Sequence, residues 1–89
     1  MNITVDISMY PLDHDYKPAI KAFIRRLRVF KGLTLVTNQM STQINGAFED
    51  VTSALNTCIK ESMEQQDKVV FVARYLNADL DITRHPDID

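Results

Sequence analysis

The side chains best suited to chemistry lie in one short stretch of the chain, Thr37 to Gln43. Every side chain in it except that of Met40 carries a hydroxyl or an amide group. Such groups can hold a small polar ligand through paired hydrogen-bond donors and acceptors. Turns also favour Ser, Thr and Asn for conformational reasons, and composition alone favours that second interpretation. The stretch is therefore a candidate site that needs independent support.

Two further residues could carry chemistry. His14 lies between Asp13 and Asp15, and a histidine beside a carboxylate can act as a general base. No nucleophile or metal partner accompanies it in the sequence, so we interpret these residues as caps of the following helix. Cys58 falls on the apolar stripe of a predicted helix, where we expect it to be packed rather than reactive.

Composition excludes several classes of protein. A chain of 89 residues has room for one domain, whose core is marginal unless subunits associate. One cysteine and two distant histidines argue against a metal site, so we predict no metal and no cofactor. With two glycines, the chain contains no phosphate-binding loop of a known type.

Charge and hydropathy limit the classes of partner that this chain can bind. The net charge is -2, which gives no overall field that would attract nucleic acid. The first helix has a basic face, but a ferredoxin-like RNA-binding domain would need aromatic residues in the middle of its open sheet, and only Tyr10 is available. No apolar run approaches the length of a membrane span, and the N-terminus is not a signal peptide. We therefore predict a cytoplasmic protein that neither binds nucleic acid nor inserts into a membrane.

The hydrophobic periodicity predicts six elements that would position the candidate site. Alternation over 2–10 predicts a strand that Pro11 closes. Helical spacing predicts a helix from Pro18 that Gly32 caps, and a second helix over 48–65 that Gly46 separates from the strand before it. The remaining predicted strands cover 33–37, 41–45 and 68–76.

The order β-α-β-β-α-β predicts an α+β, ferredoxin-like fold, with a four-stranded antiparallel sheet and both helices on one face. We predict one domain over residues 1–78 and an acidic, mobile C-terminal tail over 79–89.

One face of such a sheet carries no helix. The side chains predicted to face the helices are Ile3, Val5, Ile7, Met9, Leu33, Leu35, Val69, Phe71 and Ala73. The open face then contains Val36, Val70 and Val72, which suit a contact with another subunit. Asp6 and Arg74 share this face on neighbouring strands, and we expect them to form an ion pair or to bridge subunits. A last strand that is apolar on both faces favours a homo-oligomer that assembles through the open sheet face.

Three motifs resemble the YKOF-related family, which belongs to a wider group of small thiamine-binding proteins. They are Ser8 to Leu12 at the end of the first strand, Thr37 to Gln43 at the hairpin, and Gly46 with the following Phe48 to Val51. The resemblance covers about residues 3 to 76. In place of the acidic residue that the wider group commonly has before the glycine, this chain has Asn45.

The resemblance implies a ferredoxin-like domain that oligomerises and binds thiamine or its hydroxymethylpyrimidine half without catalysis. It also implies a role in carrying or salvaging thiamine precursors, with a possible link to a transporter. Carried over to this chain, the ligand-binding residues are Ser8, Tyr10, Thr37, Asn38, Met40, Ser41 and Thr42. Hydroxyl and amide groups would pair with the aminopyrimidine, while Tyr10 and Met40 would cover its flat ring. Asp6 or Glu49 would offset the positive charge of a thiazolium.

Two alternatives stay open. The chain could be an assembly or regulatory domain whose hairpin is only a turn. It could also be a small dimeric α+β barrel enzyme with His14 or Asp6 as the base. Such enzymes need an apolar cavity between sheet and helices, and we expect Phe23, Phe30, Phe48 and Phe71 to fill that space.

Overall fold

The elements follow one another in the predicted order in the computed structural model, which describes residues 1–88. They are β1 (Asn2–Pro11), α1 (Lys17–Val29), β2 (Thr34–Thr37), β3 (Thr42–Ala47), α2 (Phe48–Gln65) and β4 (Val69–Leu76). The strands form one antiparallel sheet in the order β2-β3-β1-β4. This confirms the α+β, ferredoxin-like fold. Asp89, the last residue of the predicted tail, lies outside the described residues.

The core lies between the sheet and the two helices. The alternation in β1 is confirmed, since Ile3, Val5, Ile7 and Met9 are all buried. The helices contribute buried apolar side chains at helical spacing: Ala19, Phe23, Leu27, Val51, Ala54, Leu55 and Cys58. Full burial of an aliphatic side chain of this size contributes about 1.5–3 kcal/mol, so this core accounts for the packing of both helices on one face.

The edges of the core depart from the predicted pattern. Phe48, predicted to lie on the apolar stripe of α2, is 44% exposed, because it begins the helix where the chain leaves β3. Ala73 is exposed although its register places it on the helix-facing side. β4 is an edge strand, and its second half extends beyond the cover of the helices.

The predicted caps of α1 are wrong, although Pro18 lies in its first turn as predicted. Tyr16 is the N-cap, and no side chain within the described residues caps this helix. Asp13 instead accepts a hydrogen bond from the backbone N–H of Asp15, at 3.4 Å, within the preceding turn. At the other end Phe30 is the C-cap. Gly32 lies in the turn before β2 with φ of +82°, a conformation that glycine adopts at little cost.

The predicted position of Gly46 between β3 and α2 is also wrong. Gly46 lies inside β3, opposite Ile3. Its backbone passes close to the turn before β2. A Cβ atom at this position would lie 2.8 Å from Leu33 Cδ2 and 3.1 Å from the Gly32 carbonyl oxygen. The absence of a side chain is therefore what lets this turn pack against β3.

Gly46→Ala is expected to destabilise the fold by about 1–3 kcal/mol, because the added methyl group overpacks a tight contact. Urea unfolding followed by circular dichroism measures this change. The control is Thr34→Ala at an exposed position of edge strand β2, which should stay within about 0.5 kcal/mol of the parent. Equal midpoints for the two variants would contradict the close approach.

The chain after β4 returns over one end of the open face. The hydroxyl of Thr4 donates to the Ala78 carbonyl at 2.8 Å and accepts from the Leu80 N–H at 3.2 Å. The amide of Asn45 donates to Asp79 at 2.9 Å. These contacts bury Thr4 on a face that carries no helix.

Residues 1–88 contain neither a membrane-spanning helix nor a metal-binding cluster. None of the helices in this range is both long enough and apolar enough to cross a bilayer. The same residues contain no cluster of three or more side chains that could hold a metal ion.

Candidate functional site

A cleft of about 440 Å³ opens at the end of the sheet where the hairpin, the end of β1 and the start of α1 meet. Its size falls within the range of small-molecule sites. The sheet register explains why it exists. β3 begins at Thr42, opposite Ile7, whereas β1 continues to Pro11. One edge of β1 is consequently left without a strand over its last residues, and the hairpin and α1 form the other walls.

All seven residues carried over from the family resemblance line this cleft. They are Ser8, Tyr10, Thr37, Asn38, Met40, Ser41 and Thr42. The two groups are far apart in sequence, at 8–10 and 37–42, and the register of β1 with β3 brings them together.

Asn38 builds the hairpin. Its side-chain oxygen accepts from the backbone N–H groups of Met40 at 2.8 Å and Ser41 at 3.1 Å. Its own N–H donates to the Ser41 carbonyl at 3.1 Å. These bonds satisfy the backbone of a turn that would otherwise be free to move. Asn38 therefore shapes the wall of the cleft, and its amide nitrogen is the part of the side chain left to meet a ligand.

The hydroxyl groups of the cleft are also engaged within the chain. Thr37 and Thr42 hydrogen-bond to each other at 3.1 Å. Ser8 donates to the Met40 carbonyl at 3.4 Å, and Ser41 donates to Asp6 at 2.5 Å. Each hydroxyl oxygen keeps the capacity to accept another hydrogen bond. This wall is thus held in place before any ligand arrives.

Asp6 connects the hairpin to β4. Its carboxylate accepts two hydrogen bonds from Arg74, from Nε at 3.2 Å and from Nη2 at 2.7 Å, which confirms the predicted ion pair. The hydrogen bond from Ser41 and the nearby guanidinium together lower the pKa of Asp6 below its ordinary value. Arg74 is 82% exposed, so the ion pair itself contributes only about 0–1 kcal/mol.

The lowered pKa of Asp6 predicts how its contribution depends on pH. A folded pKa below the unfolded value means that the carboxylate stabilises the fold, fully so above about pH 4. This contribution is lost as the pH falls through the folded pKa. We expect NMR titration of the Asp6 carboxyl carbon to show a pKa below 3.8, and Ser41→Ala to raise it. An unchanged pKa in Ser41→Ala would contradict the role of the hydroxyl.

Sequence reasoning missed the apolar wall. It consists of Leu12, Tyr16, Ile20, Phe23 and Ile24, together with parts of β1. The helical spacing of Ile20, Phe23 and Ile24 predicts core residues, which is confirmed for Phe23, whereas Ile20 and Ile24 are only partly buried and also face the cleft. The expected filling of the space between sheet and helices holds for Phe23, Phe30 and Phe71 but not for the exposed Phe48, and a cleft stays open at this end. Phe23 packs against Phe71, with ring centroids 5.1 Å apart, and also lines the cleft.

His14 and Cys58, the two other residues considered for reactivity, lie outside the cleft lining. His14 is exposed in the turn before α1 and lies outside the cleft lining. Cys58 is fully buried, and this burial raises the pKa of its thiol. The prediction that Cys58 is packed rather than reactive is therefore confirmed.

A second cavity, of about 480 Å³, lies on the open face beneath the returning chain. Its lining includes Thr4, Asp6, Arg74, Leu76 and Leu80. Thr4 is already bonded to Ala78 and Leu80, and Asp6 to Arg74. The hairpin cleft is the better candidate, because a bare strand edge lies beside its apolar wall.

Comparison with known proteins gives one family and several solved structures. The sequence model of the YKOF-related family matches residues 2–78. Comparison with curated proteins finds no match.

A structure from Thermotoga maritima, described as a candidate thiamine biosynthesis/salvage protein, is similar with a TM-score of 0.80 and 16% identity, over 92% of this chain and 91% of that chain. A hypothetical protein from Methanocaldococcus jannaschii has a TM-score of 0.76 and 19% identity, over 98% of this chain and 88% of that chain. A protein from Streptococcus pneumoniae has a TM-score of 0.71 and 16% identity, over 90% of both chains. At these identities the similarity shows the fold alone.

Proposed function

This chain belongs to the YKOF-related family, and from that membership and the cleft we propose that it binds thiamine or its hydroxymethylpyrimidine moiety without catalysing a reaction. The observation that carries the proposal is the convergence of all seven residues of the family resemblance on one cleft. The structural similarity to a candidate thiamine biosynthesis/salvage protein supports the same class of ligand. The proposed role is the carriage or salvage of thiamine precursors in the cytoplasm, alongside a transporter.

The cleft has the two kinds of wall that a substituted pyrimidine needs. Tyr16, Ile20 and Ile24 give an apolar side for the flat ring. Tyr10, Met40 and the hairpin lie around the rest of the ring and bring polar groups to its edge. A cleft of about 440 Å³ also leaves room for substituents on the ring.

The charges favour the neutral pyrimidine half over whole thiamine. Asp6, one of two carboxylates expected to offset a thiazolium, is already neutralised by Arg74. The other, Glu49, is in the first turn of α2. This helix begins beside Met1, to whose carbonyl the Phe48 N–H donates, so Glu49 is at the opposite end of β1 from the cleft. A cation in the cleft would thus lack a dedicated partner.

The same contacts argue for binding rather than catalysis. A general base works best with a pKa near the operating pH, whereas that of Asp6 is lowered and its oxygens are occupied by Arg74 and Ser41. His14 lies outside the cleft. Neither residue proposed as a base in the enzyme alternative is placed to act on a ligand there.

Isothermal calorimetry tests the proposal directly. We expect saturable binding of 4-amino-5-hydroxymethyl-2-methylpyrimidine, and weaker binding of thiamine and thiamine phosphate. Calorimetry suits this protein because the chain has no tryptophan. Absence of heat with all three compounds at millimolar concentration would reject the proposed function.

Hairpin variants locate the binding. Asn38→Ala and Thr42→Val are each expected to weaken pyrimidine binding about threefold to tenfold or more, because each loses hydrogen bonds that hold the wall. Tyr10→Ala should weaken it by removing contact surface. Lys21→Ala, on the exposed face of α1, is the control and should leave the affinity unchanged. Unaltered affinity in the hairpin variants would place the site elsewhere.

We also propose that the protein is a homo-oligomer assembled through its open sheet face. Val70 and Val72 are 45% and 53% exposed there, beside the exposed Tyr10. Because each valine is already about half covered, full burial would add about 0.7–1.5 kcal/mol per valine. A second copy of the chain can supply the same patch across a two-fold axis. If the hairpin proves to be only a turn, this face supports the alternative function of an assembly domain.

A further inference from the structure

We propose that the backbone of Met9 recognises the ring of an aminopyrimidine in the cleft. Its N–H would donate to an acceptor ring nitrogen, and its C=O would accept from the neighbouring amino group. The inference rests on the proposed function and deepens it, because it names the atoms that select the ligand. It concerns main-chain atoms of β1, which no substitution in the hairpin removes.

The direction of the Met9 backbone follows from the hydrogen bonds at the two ends of β1. The N–H of Leu12 donates to the Lys68 carbonyl at 3.0 Å, so Leu12 faces β4. Alternate residues of a strand bond to opposite neighbours, and Met9 therefore faces away from β4. The contact at the other end agrees, since the Met1 carbonyl accepts from Phe48, which follows β3, at 2.9 Å.

On that side Met9 has no strand opposite it. β3 pairs with β1 only as far as Thr42 opposite Ile7, and the next partner in register would be Met40. Met40 does not pair with β1 as a strand residue. Its N–H donates to the Asn38 side-chain oxygen, and its carbonyl accepts from the Ser8 hydroxyl. Within residues 1–88, no group is hydrogen-bonded to the Met9 backbone from this side.

Met9 is only 8% exposed and lines the cleft. The N–H and C=O groups of a strand almost always have a hydrogen-bond partner, and on this side of Met9 the described chain supplies none. Pro11, the next residue that faces the same way, has no N–H to offer. Along the bare edge of β1, from Ser8 to Pro11, Met9 therefore supplies both a donor and an acceptor pointing the same way.

This arrangement suits one pattern of ligand atoms. The N–H and C=O of one strand residue lie side by side and can bond to an adjacent acceptor and donor, as they would to another strand. Hydroxyl groups can reverse their roles to suit a ligand, but a backbone pair cannot. A ring with a methyl group in place of the amino group would cover the Met9 carbonyl without pairing it, which strongly disfavours binding.

The direct test is amide hydrogen exchange by NMR on the full chain, with 4-amino-5-hydroxymethyl-2-methylpyrimidine as the probe. We expect the Met9 amide to exchange at least tenfold more slowly when the probe is saturating, and its proton resonance to shift downfield. The Tyr10 amide is the matched internal control, because it faces β4 and is already bonded in the ladder. We expect the compound with methyl in place of the 4-amino group to bind at least tenfold more weakly.

Met9→Pro removes the N–H without breaking the β1–β4 ladder and should weaken binding at least tenfold while the fold persists. If this variant does not fold, the exchange measurement on the parent protein decides. Binding of the aminopyrimidine with an unchanged Met9 amide, or equal binding of the methyl compound, would overturn this inference and leave the proposed function standing. No binding to the parent protein would overturn both.

Discussion

Val72→Asp is expected to convert a self-associated protein into a monomer of 10.2 kDa. Val72 lies opposite Ser8 on the open face, next to the Tyr10–Val70 pair, and half of its surface is exposed in the single chain. In the proposed oligomer a second copy covers this patch. A carboxylate buried there without a partner costs several kcal/mol, which exceeds what the remaining valines contribute. Sedimentation velocity at micromolar concentration measures the outcome.

Val29→Asp is the matched control, with the same change at an exposed valine at the end of α1. It should leave the sedimentation coefficient of the parent protein unchanged. A parent protein that sediments as a monomer would contradict the proposed assembly, and so would a Val72→Asp variant that stays associated.

Ile20→Trp is expected to reduce binding of the aminopyrimidine about tenfold to a hundredfold. Ile20 is half-buried on α1 and lines the cleft. An indole at this position would occupy part of the volume of the cleft, and displacing it would cost about 1–3 kcal/mol, which is the usual penalty for overpacking. Calorimetry with the parent protein and the variant gives the ratio of dissociation constants.

Lys21→Trp, at the adjacent exposed residue, introduces the same side chain outside the cleft. It should bind the ligand as the parent protein does. Thermal unfolding should be similar for both variants, since neither site belongs to the fully buried core. Equal loss of binding in the two variants would indicate a general effect of the tryptophan and would contradict the position of the cleft.

Much of the fold was predictable from the sequence because its signals are local. The alternation in β1 predicts which side chains face the helices, and the apolar stripe over 48–65 predicts α2 with its observed bounds. The family resemblance supplied the two segments that line the cleft. Caps were less predictable: Asp13 bonds within its own turn, and Gly46 lies in a strand, since the same residue types serve turns, caps and close contacts equally well.

The apolar wall of the cleft could not be predicted in the same way. Ile20 and Ile24 have the spacing of core residues, and part of their surface does pack against the core. Whether such a residue is covered depends on how far the sheet extends beneath it. That is set by the register between β1 and β3, in which β3 begins four residues before β1 ends.

The sequence by itself determined the element order, the faces of β1 and the residues that make up the hairpin, because periodicity and turn chemistry depend on near neighbours along the chain. Only the tertiary structure decided that the hairpin hydroxyls are already bonded to one another and to Asp6, and that the Met9 backbone faces a cleft. Both facts depend on where one strand stops beside another. Strand register is a long-range property, settled by the packing of the whole sheet against its helices.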